Sequence, residues 1–253
     1  MTKHAPVPHV LAYHEVSEKH STDVYCMTPE TFTAHMWTAR LAAERSLQPL
    51  SVTFDDGHGS HLRWVMPILN SLRIHGHFFI PTAWMEARSE YAGWDDLRLL
   101  AGHGHRIGSH GATHVFLSAC TPGSLEEEVR GSRMTLEDKI GASVTSISMP
   151  GGRWNENVIR ACAIAGYEEV YTSEPGMYRP ACVADGLRMP AVIGRFAIRR
   201  KTSLRILANY VEGDFFTVNW LRGMYLLRQR TKQLIGDSNY QQIWSSLFRT
   251  IPS

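Results

Sequence analysis

Short apolar runs alternate with longer amphipathic stretches through most of this chain, and that alternation restricts its fold more than any other feature. His9-Val-Leu-Ala-Tyr13 reads as a strand, and Thr28-Pro29 opens a helix with Thr28 as N-cap. Strands are predicted at Leu50 to Phe54 and at His77-Phe-Phe-Ile80, with a helix between them from Leu62 to Leu72. A helix from Trp94 to Ala101 leads to a short strand at Arg106-Ile-Gly108. Ser124 and Glu127 form a capping box for a helix that ends near Gly141. A strand at Val144 to Ser148, a helix at Asn155 to Ala165 and a strand at Glu169 to Thr172 come next. A last β-like run spans Leu187 to Ile193. Roughly six or seven βα units with short connections predict an α/β chain whose parallel sheet closes into a barrel.

No linker or low-complexity break interrupts the pattern, so residues 1–253 are expected to form a single domain. Its last part, 204–253, is expected to be a helical tail packed on the barrel. A formal net charge of +2 asks for no nucleic acid, and no aromatic-basic RNA-binding pattern accompanies it. Cys26, Cys120, Cys162 and Cys182 are too scattered for a structural zinc site and suit a reduced compartment. Neither a secretory signal nor a stretch of about 20 apolar residues is present, so the expected location is cytoplasmic. Residues 218–234, VNWLRGMYLLRQRTKQL, leave two readings open. One is an amphipathic helix packed on the barrel with a solvated basic face. The other is peripheral membrane contact that would hold a lipid-linked substrate near the site.

Thr53-Phe-Asp-Asp-Gly-His-Gly-Ser-His61 sets two carboxylates side by side where a strand should end. Ionised neighbours repel, so the pair needs a reason. Ser109-His-Gly-Ala-Thr-His114 supplies one, because His110 and His114 follow the end of a later strand and can converge on one metal ion. One aspartate would complete a site of two histidines and a carboxylate, leaving the other free to act as a base on water. Successive strand residues point to opposite sides, which suits two different roles. A cation would also offset the repulsion.

With these motifs in order, the chain resembles the polysaccharide deacetylase family, also called the NodB-homology family or carbohydrate esterase family 4. The resemblance runs from about Val10 to about Thr172. It includes TFDDG at 53–57, HFFI at 77–80, the stretch from Trp94 to His114, MPGGRWN at 149–155 and AGY at 165–167. The resemblance implies a distorted (β/α)7-type, NodB-like barrel in which Asp55 is the catalytic base. Asp56, His110 and His114 would then bind a divalent metal, zinc first, with cobalt or nickel as alternatives. The metal and a backbone N–H of the third motif would stabilise a tetrahedral oxyanion. The implied activity is hydrolysis of an N-acyl group, an acetyl first, from an amino sugar of a glycan, a precursor or a glycosylated metabolite. An O-acetyl esterase on a polysaccharide and a silent glycan-binding barrel are the alternatives.

The chain departs from the family pattern twice. The arginine that usually precedes the third-motif proline and orients the base is Met149 here, and Arg153 is the nearby candidate to compensate. The family's late histidine, its general acid, is missing, since none of the 13 histidines follows His114. His14, expected at the end of the first strand, is the substitute acid. His58 and His61 are nearer to the aspartates in sequence but read as rim residues. Pro150, Gly151, Arg153, Trp154 and Glu174 are the expected substrate-binding residues, and Trp84 is a further candidate for stacking on a sugar.

Overall fold

A computed structural model of the chain describes residues 9–19, 21–85 and 87–235. Of the tail expected over 204–253, residues 236–253 lie outside them. Strand β1 is Val10–Tyr13, helix α1 Pro29–Ser46, β2 Ser51–Phe54, α2 Met66–Ser71 and β3 Gly76–Ile80. Then follow α3 Trp94–Gly102, β4 Arg106–Ser109, α4 Pro122–Glu126, α5 Ser132–Ile140, β5 Ser146–Ser148, α6 Glu156–Ile164 and β6 Glu169–Thr172. The rest comprises β7 Tyr178–Arg179, β8 Cys182–Ala184, β9 Leu187–Met189, β10 Ala191–Ala197, α7 Leu204–Val211 and α8 Phe215–Ile235.

Seven strands, β1 through β6 and β10, pair in parallel, and β10 returns to β1 to close the barrel. The closing strand serves two neighbours in turn. Ala191 to Gly194 pair with β6, while Arg195 to Ala197 pair with β1. Gly194 stands at the changeover, where a Cβ would collide with the Glu174 carbonyl oxygen. The short β7 runs antiparallel to the first half of β10 and distorts the barrel there.

The sequence expectations need two corrections. The last β-like run is not one strand, because Pro190 divides it. Leu187–Met189 folds back on Cys182–Ala184 as a hairpin turned by Asp185 and Gly186, and the barrel strand continues to Ala197. The N-cap of the helix that follows the His110–His114 stretch is Thr121, which accepts from the Ser124 N–H; Ser124 is already inside the helix.

Strand parity sorts the barrel into two layers. Val52, Phe54, Phe78, Ile80, Ile107, Ile147 and Val170 pack outward against the helices in the main core. Val10, Phe79, Tyr171 and Ile193 fill a small apolar centre inside the barrel. His77 also lies in that interior, with its Nε2 bonded to Ser146 Oγ at 2.7 Å. Parity therefore turns Thr53, Asp55, His110 and Ser148 toward the barrel axis, at its C-terminal end.

Candidate active site

Asp55 extends β2 by one residue, its N–H donating to the Tyr13 carbonyl at 3.0 Å. Its carboxylate is thereby buried inside the barrel mouth. The chain then leaves strand geometry at once, because Asp56 has φ +74° and Gly57 φ +64°. Two consecutive left-handed residues make a sharp turn that glycine takes freely and aspartate tolerates. This turn lifts the Asp56 carboxylate to the rim.

His110 similarly extends β4, with its N–H on the Ile80 carbonyl at 2.9 Å. Its Nδ1 donates to the Ser148 carbonyl at 2.9 Å, and that bond leaves Nε2 as the free lone pair of the neutral ring. His114 is held at φ +65°, a second non-glycine residue in left-handed conformation at this site. Trp84 stacks against its ring with centroids 4.7 Å apart, so this tryptophan supports the histidine.

The loop between the two histidines is pinned by a residue that sequence reasoning missed. Glu128 accepts from the Ala112 N–H at 2.8 Å and the Thr113 N–H at 3.0 Å, and from the Thr113 hydroxyl. It lies in a π-helical turn, Glu127–Gly131, that interrupts the helix between α4 and α5. Such turns shift one side chain off the regular helical face.

Three ligand-type atoms, one each from Asp56, His110 and His114, lie within 4.8 Å of one another. Asp56 Oδ1 is 3.5 Å from His110 Nε2 and 3.2 Å from His114 Nε2, yet it is buried and accepts no well-aligned hydrogen bond. This donor set fits a divalent cation such as zinc. Burial alone would raise the Asp56 carboxyl, but the two imidazoles hold it well below the usual carboxylate range. Burial would likewise lower His110, yet Asp55 and then Asp56 pull it above the ordinary histidine value.

Arg195 is the second residue the sequence reading missed. Its guanidinium meets Asp55 in a fork, Nη1 to Oδ1 at 2.7 Å and Nη2 to Oδ2 at 2.8 Å. It also donates to the Thr172 carbonyl, Thr53 Oγ1 and Ser148 Oγ, so a nearly inaccessible arginine has partners all round. Burial would raise the Asp55 carboxyl, but Arg195 and then His110 bring it down to about 2. With Met149 in the place of the family's arginine, it is an arginine from β10 that holds the Asp55 carboxylate. Arg153, the compensating residue expected from sequence, has its guanidinium over the Phe116 ring at 4.2 Å.

The site opens into a cavity of about 620 Å³ lined by His14, Asp55, Asp56, His110, His114 and Gly151 among others. His14 is thus brought to the reacting groups, its ring 4.8 Å from Tyr25 and its buried Nδ1 without a hydrogen-bond partner. His61 is a support for it, donating from Nε2 to the His14 carbonyl at 2.5 Å. His58 bonds Ser60 Oγ at 2.8 Å instead of facing the cavity. Pro150, Arg153, Trp154 and Glu174 are not among the cavity-lining residues. Trp154 lies under the Arg179 guanidinium at 5.5 Å, and Glu174 pairs with Arg222 of α8 at 2.8 Å. That pair ties α8 to the barrel mouth, where Trp220, Leu221, Met224, Tyr225, Arg228 and Gln229 complete the cavity wall.

A family model described as polysaccharide deacetylase matches residues 43–170. YxkH of Bacillus subtilis (strain 168), named after the polysaccharide deacetylases, is 27% identical over 191 residues, 69% of this chain and 67% of that protein. A chitooligosaccharide deacetylase of Sinorhizobium fredii (strain NBRC 101917 / NGR234) is 32% identical over 127 residues, 48% of this chain and 55% of that protein. The chain therefore spans between about half and two thirds of the length of these relatives. Among solved structures, the Streptococcus pyogenes deacetylase PplD in complex with acetate has a TM-score of 0.67 at 18% identity, covering 81% of this chain and 97% of that chain. IcaB from Ammonifex degensii has a TM-score of 0.65 at 18% identity, covering 82% and 98%. These two likenesses are of fold.

Proposed function

The chain belongs to the polysaccharide deacetylase family, and we propose that it is a metal-dependent hydrolase that removes an N-acyl group, an acetyl first, from an amino sugar. One observation carries this reading. A buried carboxylate held by an arginine, Asp55, stands beside three convergent ligand atoms from Asp56, His110 and His114 at the base of a sugar-sized cavity.

Asp56, His110 and His114 would hold the metal, and His110 is aimed by its bond to the Ser148 carbonyl. A zinc ion bound there would supply Lewis-acid polarisation of the acyl carbonyl and of water. Asp55 is ionised at neutral pH and takes the proton of the attacking water, while Arg195 keeps its carboxylate aimed at the mouth. The Gly151–Gly152 turn, whose backbone lines the cavity, is the source of an N–H for the developing oxyanion. His14, on the cavity wall beside Asp55 and Asp56, is the group we assign to protonate the leaving amine. Pro150, Arg153, Trp154 and Glu174 stand behind the cavity wall, where they would shape it without touching the sugar.

An O-acetyl esterase is the second reading. The absence of any histidine after His114 favours it, because an alkoxide leaves with less help than an amine. A mere glycan-binding barrel would have no use for an arginine-held base beside a ligand set. The test is acetate release from N-acetylated oligosaccharides, nucleotide-linked N-acetyl sugars and O-acetylated xylan, with zinc, cobalt or nickel supplied. Release from the first two classes supports the amidase, release from xylan alone supports the esterase, and no release from any overturns the hydrolase.

A further inference from the structure

Helix α8 carries large apolar residues on the side away from the barrel as well as on the side that packs against it. Phe215, Phe216, Trp220, Leu226 and Leu227 are all exposed, Phe216 to 80% and Phe215 to 71%. At about 100° per residue these five share one arc of about 140° with Asn219, Gly223 and Arg230. The side toward the barrel carries Val218, Leu221, Met224 and Tyr225, together with Arg222, bound to Glu174, and Arg228 and Gln229 on the cavity wall. A helix that only packed on the barrel would leave its outer side polar. A contiguous apolar face of this kind marks an interaction surface.

Trp220 belongs to both surfaces, half exposed on the apolar face and also part of the cavity wall. The path from the outside of α8 to Asp56, His110 and His114 is therefore continuous. Besides the catalytic aspartates the cavity wall contains one carboxylate, Asp23, against the cations Arg199, Lys201 and Arg228. That balance favours an anionic group on the substrate. No Asp or Glu occurs from Phe215 to Ile235, and Arg230 lies in the middle of the apolar arc. Two copies joined through this face would set like charges against each other, whereas anionic lipid headgroups complement them. Among the described residues no helix is long and apolar enough to cross a membrane, so the contact would be peripheral.

We propose that the outward face of α8 lies on an anionic lipid bilayer, and that the substrate is an N-acyl amino sugar joined through phosphate to a lipid, drawn from that bilayer past Trp220. The sugar reaches the aspartates and histidines, the phosphate meets Arg199, Lys201 and Arg228, and the lipid chain stays outside. The substrate assignment rests on the deacetylase reading; the docking rests on α8 alone.

The experiment has two arms and one variant, Phe216→Ser/Leu227→Ser, whose residues are exposed and off the cavity wall. The full chain is expected to sediment with phosphatidylcholine–phosphatidylglycerol vesicles, and the variant to bind them at least about tenfold more weakly with an unchanged melting temperature. Acetate release is expected to be faster from N-acetylglucosamine linked through phosphate to a long-chain alcohol in vesicles than from the uridine-linked sugar. The variant should slow only the lipid-linked reaction. No vesicle binding by the wild type, or a dimer in light scattering that the variant dissolves, overturns the docking. Equal rates on both substrates overturn the lipid assignment and leave the deacetylase intact. Vesicle binding with no release from either compound or from N-acetylated oligosaccharides upholds the docking and overturns the deacetylase reading, whereas release from the oligosaccharides alone overturns the lipid assignment.

Discussion

Arg195 grips Asp55 through two parallel hydrogen bonds of 2.7 and 2.8 Å, from a strand 140 residues further along the chain. Both side chains are almost wholly buried. Removing one partner of such a pair costs about 3–5 kcal/mol, because the other charge is left buried and unpaired. Arg195→Met is expected to lower stability by that order. Asp55→Asn/Arg195→Met should lose less than the two single variants together, a coupling that denaturant melts of the four proteins measure. Arg195→Lys keeps the charge without the fork, so it should fold nearly as well and lose kcat more than KM. Additive stabilities in the cycle would contradict the pairing.

Asp55 and His110 are expected to fail in different ways. Asp55→Asn leaves the three ligand-type groups intact, so the folded variant should retain its metal and lose turnover by about a hundred- to ten-thousand-fold. His110→Ala removes a ligand and should lose both. Metal content by mass spectrometry beside acetate release separates the two. Turnover by Asp55→Asn near the wild-type rate would remove Asp55 from the role of base.

These four residues were legible in the sequence for a physical reason. Asp55 and His110 directly follow β2 and β4, where strand parity aims them without any long-range knowledge, while Asp56 and His114 lie in the turns just beyond, where metal-ligating residue types mark them. Arg195 was not legible, because its partner is remote and its neighbours read as an ordinary strand. Its one local signal is a charged residue in the middle of Ala191-Val-Ile-Gly-Arg-Phe-Ala197. Glu128 was hidden among Glu126, Glu127 and Glu128, where a regular helix would show solvent a run of charge. The exposed apolar face of α8 was hidden differently. Periodicity shows that a helix has two faces, but the barrel decides which of them is covered.

Glu128 positions the histidine loop without touching the ligand atoms. Glu128→Gln keeps one acceptor oxygen but cannot receive both backbone N–H groups and the Thr113 hydroxyl as a charged carboxylate does. Metal affinity is expected to fall by about 10- to 100-fold, the usual effect of losing a group that orients a ligand. Excess zinc should then restore the kcat of the variant, which it cannot do for Asp55→Asn. Competition with a chromophoric chelator measures the affinity. An unchanged affinity would show that the loop holds its shape without the carboxylate.

Buried histidines outside the ligand set should make the fold acid-sensitive well above the carboxylate range. Burial pushes His61 and His105 down to about 4 and His77 well below its ordinary value. His105 adds a structural reason, since its Nδ1 accepts the Gly76 N–H at 3.1 Å and a proton there would break the bond. In the unfolded chain these rings titrate near about 6.5, so below that pH the unfolded state binds more protons than the folded one. Stability should therefore fall as the pH drops from about 6.5 towards about 4. His110 works in the opposite direction, because Asp55 and Asp56 raise it against the effect of burial. The clean comparison is thus between wild type and His105→Asn, whose Oδ1 can accept from Gly76 but does not titrate. Between pH 7 and pH 5 the melting temperature of His105→Asn should fall less than that of the wild type. Parallel curves would show that His105 carries none of the acid sensitivity.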